Sequence, residues 1–375
     1  MWPLALALLT LLVLALPLAP AVLEWRRQRD IGPLAIDGEH TLDVGAVAAG
    51  LRAQLVAQPA QPGQAGMAAP ELSLEPLVRV NGAFVPTPAE AASGLCARTI
   101  VGAEAVLLPS DYAFSRDIYG RRSIRTGQRN RLQGLLSDGG IILGADSELQ
   151  RWAHAGHVYA GERCRLLGPV GALHAIRLEA GCRFASVSAP VVRFGHAGIK
   201  PAGGAHGAAA GPCAGSPAGE IAPAAARDGR WLVTHDFIFP PNGLYRGDLV
   251  VHGNLYIGSG ARIAGSVKAS GSIRLEAGAI IDGALIAGTA ISVERACAIG
   301  GPVAAEREVR LAPFCVIGAP RRHTTVVAPL LLARVGATVH GAASALELGR
   351  VEPDCESDCE SDCDAATAED YPCPP

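Results

Sequence analysis

The sequence has few aromatic residues and little net charge, and both shortages narrow the class of protein. Phe, Trp and Tyr make up 5% of the 375 residues, whereas the core of a compact enzyme normally depends on such large side chains. The formal net charge of −3 gives no reason to expect a nucleic-acid partner. Glycine is plentiful, with 45 residues, which suits a chain with many tight corners.

The sequence also lacks the common catalytic motifs. It contains no Gly-rich phosphate loop, no nucleophile elbow and no His-Glu-x-x-His pair. His252, His323 and His340 fall on outward or corner positions of the repeat described below, without a carboxylate at a telling spacing. We therefore predict that the chain is not an enzyme and has no catalytic residue, no metal site and no cofactor.

A repeat of 18 residues runs from Gly229 to Gly341. Within each copy the apolar residues are spaced alternately by two and by four. A spacing of two is typical of a strand with one buried face, and a spacing of four indicates a corner after each short strand. Three strands and three corners per copy predict one coil of an all-β, single-stranded β-solenoid. The repeated positions are the opening glycines Gly247, Gly265, Gly283 and Gly301, and the columns Leu255, Ile273, Ile291, Val309 and Ile263, Ile281, Ile299, Ile317.

The same spacing occurs in residues 118–194, which we predict to form a first solenoid block, with 229–345 as the second. Successive copies in the first block are offset by 17 or 18 residues. Their inward triplets are Ile124, Thr126, Leu132; Ile141, Leu143, Leu149; Val158, Ala160, Leu166; and Ile176, Leu178, Phe184.

The two ends of the second block depart from the regular repeat. Its first coil places the aromatic residues Trp231, Phe237, Phe239 and Tyr245 inward, and we expect it either to form an end layer or to pack against the first block. Its last coil keeps phase only with a four-residue insertion at Ala319–Arg322. The predicted inward residues there are Thr325, Val327, Leu331, Ala333, Ala337 and Val339.

Most cysteines and one arginine cluster have a structural interpretation. Cys164, Cys182, Cys297 and Cys315 share one small inward position of the repeat, so we predict core thiols. Cys355, Cys359 and Cys363 are spaced by four, which on a helix would suit a soft metal ion. We instead predict that 346–375 is a disordered, solvated acidic tail.

The cluster of Arg121, Arg122, Arg125, Arg129 and Arg131 is either a solvated face or a contact to anionic lipid.

The remaining segments are predicted to anchor the chain or to link its parts. Trp2–Leu23 is uncharged and long enough to cross a bilayer, and Arg26, Arg27 and Arg29 follow it. By the positive-inside rule, 1–25 is a single-pass anchor in the inner (cytoplasmic) membrane with the solenoid in the cytoplasm; a signal peptide cleaved near Ala19 is the alternative. We expect 26–117 to be a mostly irregular linker in which Thr99–Leu108 is apolar enough to form a strand or two. We expect 195–228, rich in Ala, Gly and Pro, to be a disordered insert.

The run Gly247-Asp-Leu-Val-Val-His-Gly-Asn-Leu-Tyr-Ile-Gly258, followed by regular 18-residue coils, resembles the bactofilins, or polymer-forming cytoskeletal proteins of bacteria. The resemblance covers Gly229–Gly341 well and 120–194 loosely. It implies a right-handed β-helix that polymerises end to end without nucleotide, often at the inner membrane, as a scaffold for cell-shape or envelope machinery. The partners it implies are other copies of the chain, the membrane through the N-terminal helix, and envelope or cell-wall proteins.

The same coils also fit the hexapeptide-repeat acyltransferases, whose β-helix is left-handed. Leu255-Tyr-Ile-Gly258 and Cys315-Val-Ile-Gly318 would pass as their hexads. Such enzymes usually work as soluble trimers with a catalytic His at a cleft between subunits, and His323 beside the insertion is the nearest candidate. The sequence does not assign the handedness of the coil.

Overall fold

A computed structural model of the chain describes Gly45 and residues 48–50, 77–196 and 229–353. All of them belong to one compact unit, 43–375. The predicted anchor, 1–25, lies outside the described residues, as do nearly all of the predicted insert and most of the predicted tail. In the ranges that are described, every helix is too short or too polar to span a bilayer.

The described chain is nearly all β and winds into a β-solenoid of about 14 turns. Its first block consists of β1 Leu77–Ala83, α1 Pro88–Ser93, β2 Leu95–Cys96, β3 Thr99–Leu108, β4 Ala113–Phe114, β5 Ile118–Gly120, β6 Ser123–Thr126, β7 Arg131–Ser137, β8 Gly140–Leu143, β9 Glu148–Ala160, β10 Arg165–Leu166, β11 Val170–Leu178 and β12 Arg183–Phe194.

The second block consists of short strands, three to a coil, followed by two long ones. They are β13 Arg230–Val233, β14 Phe237–Phe239, β15 Leu244–Arg246, β16 Asp248–Val251, β17 Leu255–Ile257, β18 Arg262–Ala264, β19 Val267–Ala269, β20 Ile273–Leu275, β21 Ile280–Ile281, β22 Leu285–Ala287, β23 Ala290–Val293, β24 Ala298–Ile299, β25 Val303–Ala305, β26 Glu308–Leu311, β27 Val316–Ile317, β28 Thr324–Arg334 and β29 Thr338–Glu352.

The predicted stacking of apolar columns is confirmed in both blocks. Leu255, Ile273 and Ile291 are successive parallel partners in the second block, and each is at most 2% exposed. The inward triplets of the first block stack in the same way, with Ile124 beside Ile141 and Leu149 beside Leu166. Burial of these columns, one layer on the next, forms a single continuous core.

The opening glycines of the second block form a column of their own, and close approach of the backbone explains it. A Cβ at Gly265 would lie 2.1 Å from the Gly247 carbonyl oxygen, and a Cβ at Gly283 would lie 2.6 Å from the Gly265 carbonyl. Only glycine fits a corner where the backbone of the preceding coil comes this near.

The first block begins earlier than predicted. Residues 77–117, assigned by the sequence to an irregular linker, contain β1–β4 and α1, which make the first two coils. The strand expected at Thr99–Leu108 is confirmed as β3. The rest of the prediction was wrong because α1 is inserted between β1 and β2 and interrupts the two-and-four spacing. α1 is specified locally: Thr87 and Glu90 form a capping box around Pro88. At the other end, β29 carries the second block to Glu352 rather than 345.

The last coil also differs in register from the prediction. Val326 and Ala328 are buried and face inward, whereas Thr325 and Val327 are half-exposed. Val326 pairs with Val303, so the insertion is one residue longer than expected. Ala319 and Arg322 close it with an isolated antiparallel bridge. The register recovers by Leu331, which is buried as predicted, through an irregularity that follows Ala328.

The two blocks meet at their C-terminal coils. β12, the last strand of the first block, pairs antiparallel with β29, the last strand of the second. Among the described strands this is the one antiparallel pairing, and every other pairing is parallel. The ladder of strands therefore continues from one block into the other, and the coils left at its two ends are the first coil of each block.

Candidate functional site: the junction and the two free ends

The junction between the blocks is made by backbone hydrogen bonds at both ends of the β12–β29 pair. The Gly181 N–H donates to the Val351 carbonyl and the Val351 N–H donates to the Cys182 carbonyl, each at 2.9 Å. At the far end the Phe194 N–H donates to the Ala337 carbonyl at 3.0 Å. Because these bonds satisfy edge groups of both terminal coils, the junction closes two sheet edges at once.

At the junction a large side chain packs against a glycine. Phe184 of β12 is the partner of Gly349 of β29, and a Cβ on Gly349 would lie 2.5 Å from the Phe184 ring. The Phe184 ring stacks on Phe194 with 5.7 Å between centroids. Beside them the Ser186 and Ser344 hydroxyls are hydrogen-bonded at 3.0 Å. This complementarity ties the two blocks together through packing as well as through backbone bonds.

The second block has an open edge at its first coil. Within the described chain, β13, β14 and β15 pair only with the next coil. The Phe237 N–H donates to the Asn254 carbonyl of that coil at 2.9 Å. Alternate amides of a strand point to opposite sides, so the Ile238 N–H points away from the coil beneath. Ile238 is 70% exposed.

Aromatic rings cover the interior at this open edge. The Trp231 ring lies 4.8 Å from the Phe237 ring and 5.5 Å from the Tyr245 ring, centroid to centroid. Trp231 and Phe237 are half-buried, whereas Phe239 and Tyr245 are buried. Of the two alternatives left by the sequence, the end layer is the one seen in the described chain, where this aromatic coil pairs only with the coil beneath it.

α1 packs beside β2 in the first coil of the first block, with Glu90 as its buried residue. Glu90 of α1 accepts two hydrogen bonds from the Arg98 guanidinium, at 2.7 and 2.5 Å. These bonds, together with those from Thr87, hold the pKa of Glu90 at about 2, below its usual 4.5. The Arg98 guanidinium also lies over the Phe84 ring, 5.7 Å from its centroid. All three sides of this coil carry strands, β1 on two sides and β2 on the third, and α1 is inserted at the corner between them.

An outward row of arginines crosses the junction. Arg165 is the partner of Arg183 in the parallel ladder, and Arg183 is the partner of Arg350 across the antiparallel pair. Arg165 lies 3.6 Å from Glu148. In the described structure neither Arg183 nor Arg350 has a carboxylate partner, and both are exposed. With Arg163 they line an open cavity of about 760 Å³ that also touches Pro353.

The arginine cluster singled out by the sequence is less free than expected. All five side chains are exposed, but Arg129 forms a two-bond ion pair with Asp111 at 2.6 and 2.8 Å, and Arg122 lies 3.7 Å from Glu104. Asp111 and Arg129 are corner residues with positive φ in adjacent coils. The sequence spacing of 18 between them was the available signal, once Asp111 was known to belong to a coil.

The histidines named in the sequence analysis do not come together. His252 and His323 are exposed, on different coils. His340 is half-buried, and its Nδ1 lies 3.2 Å from the Pro190 carbonyl at the junction. His340 is therefore a junction residue, which the sequence did not indicate.

The four predicted core thiols are buried and free. They lie in stacked pairs, Cys164 with Cys182 and Cys297 with Cys315. Contact with Cys297 and burial raise the pKa of the Cys315 thiol, and the same causes, with Cys164, raise that of Cys182. Within the described ranges no group of three or more His, Cys, Asp or Glu side chains is placed to hold a metal ion. The tail cysteines lie outside those ranges.

The chain matches no protein-family model, and neither curated proteins nor solved structures give a match.

Proposed function

We propose that this chain is a bactofilin-like scaffold protein that self-assembles through its β-helix into polymers without nucleotide and organises cell-envelope or cell-shape machinery. In this proposal residues 1–25 anchor it to the inner membrane and the solenoid lies in the cytoplasm. The coil is proposed to be right-handed, since crossovers between parallel strands are right-handed in the great majority of cases.

The open edge of β13–β15 is the observation that carries the proposal. A strand edge with free N–H and C=O groups is a template for pairing with another chain. The Ile238 N–H points outward from this edge, and half-exposed Trp231 and Phe237 offer apolar surface to a partner. The β12–β29 junction supports the mode of contact, because there the terminal coils of two solenoid blocks already pair edge to edge in this chain.

Substitution of Ile238 tests the proposal. Ile238→Pro removes an N–H that makes no bond to the coil beneath, and proline is tolerated on edge strands. Ile238→Ala keeps the N–H and is the matched control. We expect the full chain in mild detergent, without nucleotide, to form filaments in negative-stain micrographs, and the alanine variant to do the same. The proline variant should give short particles and a smaller sedimentation coefficient.

Two results would overturn the proposal. One is a proline variant that polymerises as the unmodified chain does. The other is discrete particles of the unmodified chain, either dimers or the trimers that the acyltransferase alternative predicts. If trimers form, the next measurement is acyl-donor binding with His323→Ala.

A further inference from the structure

Two arginines at the junction, Arg183 and Arg350, have no carboxylate partner in the described structure. Arg183 and Arg350 are direct cross-strand partners, and like charges directly opposite one another are destabilising. Arg165 adds a third guanidinium on the next strand, and its one carboxylate partner is Glu148 at 3.6 Å. An anion placed between Arg183 and Arg350 would relieve this repulsion with charge-assisted hydrogen bonds.

The chain itself carries a suitable anion next to this site. Pro353, the last described residue, lines the same cavity. The sequence continues Asp354-Cys-Glu-Ser-Asp-Cys-Glu-Ser-Asp-Cys-Asp364, with an acidic residue at every second position. In an extended conformation that spacing places all the carboxylates on one side, about 6.6 Å apart. The cysteines and serines then lie on the other side.

We propose that the acidic segment 354–364 binds the junction arginines of its own chain. The site comprises Arg163, Arg165, Arg183 and Arg350, and the one carboxylate in its lining, Glu162, is paired with Arg163 at 3.1 Å. Arg183 and Arg350 are the two cations with no carboxylate of their own in the described structure. The segment starts at the cavity, so its effective concentration is in the millimolar range, and individually weak ion pairs suffice for occupancy. The proposal does not depend on polymerisation.

Carbodiimide cross-linking of lysine variants tests this contact. The reagent couples carboxylates to amines but not to guanidinium groups, and the sequence has two lysines, Lys200 and Lys268. Arg183→Lys and Arg350→Lys, made one at a time in the full chain, keep the charge and each introduce one amine at the site. Arg193→Lys, an exposed position on the same strand β12, is the matched control.

We expect cross-linked peptides that join position 183 or 350 to residues 354–364, at a yield about tenfold above position 193 and above Lys268 at low salt. The excess should vanish in about 1 M salt, where the screening length is about 3 Å. Equal yields at all these positions would overturn the proposal.

A mixture of isotope-labelled and unlabelled chains settles whose tail is bound. Cross-links confined to one isotope support binding within the chain. Mixed pairs at the statistical frequency would show that the occupant comes from a second copy and would refute the intramolecular contact.

Discussion

Gly349→Ala should open the junction between the blocks. The added Cβ would meet three atoms of the Phe184 ring at 2.5 to 2.7 Å, closer than real Cβ contacts, and the ring has little room to move because Phe184 is 2% exposed and stacks on Phe194. Overpacking of this kind costs about 1–3 kcal/mol. The cost falls on the β12–β29 pair, the main connection between the two blocks within the described chain.

The matched control is Gly140→Ala in β8. A Cβ there meets only the His157 carbonyl oxygen, at 3.8 Å, which is ordinary contact. Its backbone lacks the positive φ that penalises alanine, so the substitution should be neutral or stabilise by about 0.4–1 kcal/mol through the unfolded chain. Both variants make the same chemical change, and they differ in what surrounds the new methyl group.

Hydrogen exchange followed by mass spectrometry measures the effect locally. A loss of 1–3 kcal/mol raises the population of the open junction, and therefore the exchange rate, about 5- to 150-fold. We expect this acceleration in peptides from β12 and β29 of the Gly349→Ala chain. Peptides from β17–β23, in the middle of the second block, should exchange as before, since coils contact only their neighbours.

A double substitution checks the mechanism. Phe184→Leu removes part of the ring that the new methyl group would meet, so it should cost less in the Gly349→Ala chain than in the unmodified one. Exchange in β12 and β29 no faster for Gly349→Ala than for Gly140→Ala would refute the reasoning. Strictly additive effects of the two substitutions would refute it as well.

Two further predictions concern other parts of the solenoid. The pKa of Glu90 is lowered from 4.5 to about 2 in the folded chain. Its ion pair with Arg98 therefore stabilises the first coil fully above pH 4.5, and this stabilisation is lost as the pH falls from 4.5 to 2. Acid titration followed by circular dichroism should show the loss, and Arg98→Ala should abolish this part of the pH dependence. Gly265→Ala would place a Cβ 2.1 Å from the Gly247 carbonyl oxygen, and we expect a fall in stability to urea of about 1–3 kcal/mol, with Gly140→Ala again as the control.

The regular part of the fold could be predicted from the sequence because each coil requires the same kinds of residue at the same positions. A buried column needs an apolar residue at the same point of every turn, so Leu255, Ile273 and Ile291 are spaced by the length of one coil. That signal fails where a coil changes its construction. In the first coil a helix is inserted between β1 and β2, and near Ala319 an added bridge shifts the register by one residue.

The junction could not be predicted from periodicity. β12 and β29 have the same alternation of buried and exposed residues as strands that pair in parallel. That pattern does not indicate that their free edges pair with each other in antiparallel orientation. Arg183 and Arg350 lie in different blocks, so their proximity depends wholly on this pairing. The sequence indicated only the arginine cluster that is local in the chain, Arg121–Arg131, where two of the arginines have carboxylates of their own.

The direction of the two blocks limits how copies of this chain meet. A solenoid has two different ends, and here the C-terminal coils of both blocks are already paired with each other through β12 and β29. A second copy can therefore add only at a first coil, either β13–β15 or the coil that contains α1. At the aromatic coil, half-exposed Trp231 and Phe237 add apolar surface to the free strand edge. Two copies joined through their aromatic coils make a closed dimer related by a two-fold axis. A polymer needs the first coil of the first block as well, so discrete dimers of the unmodified chain in the Ile238 experiment would contradict the proposed polymer.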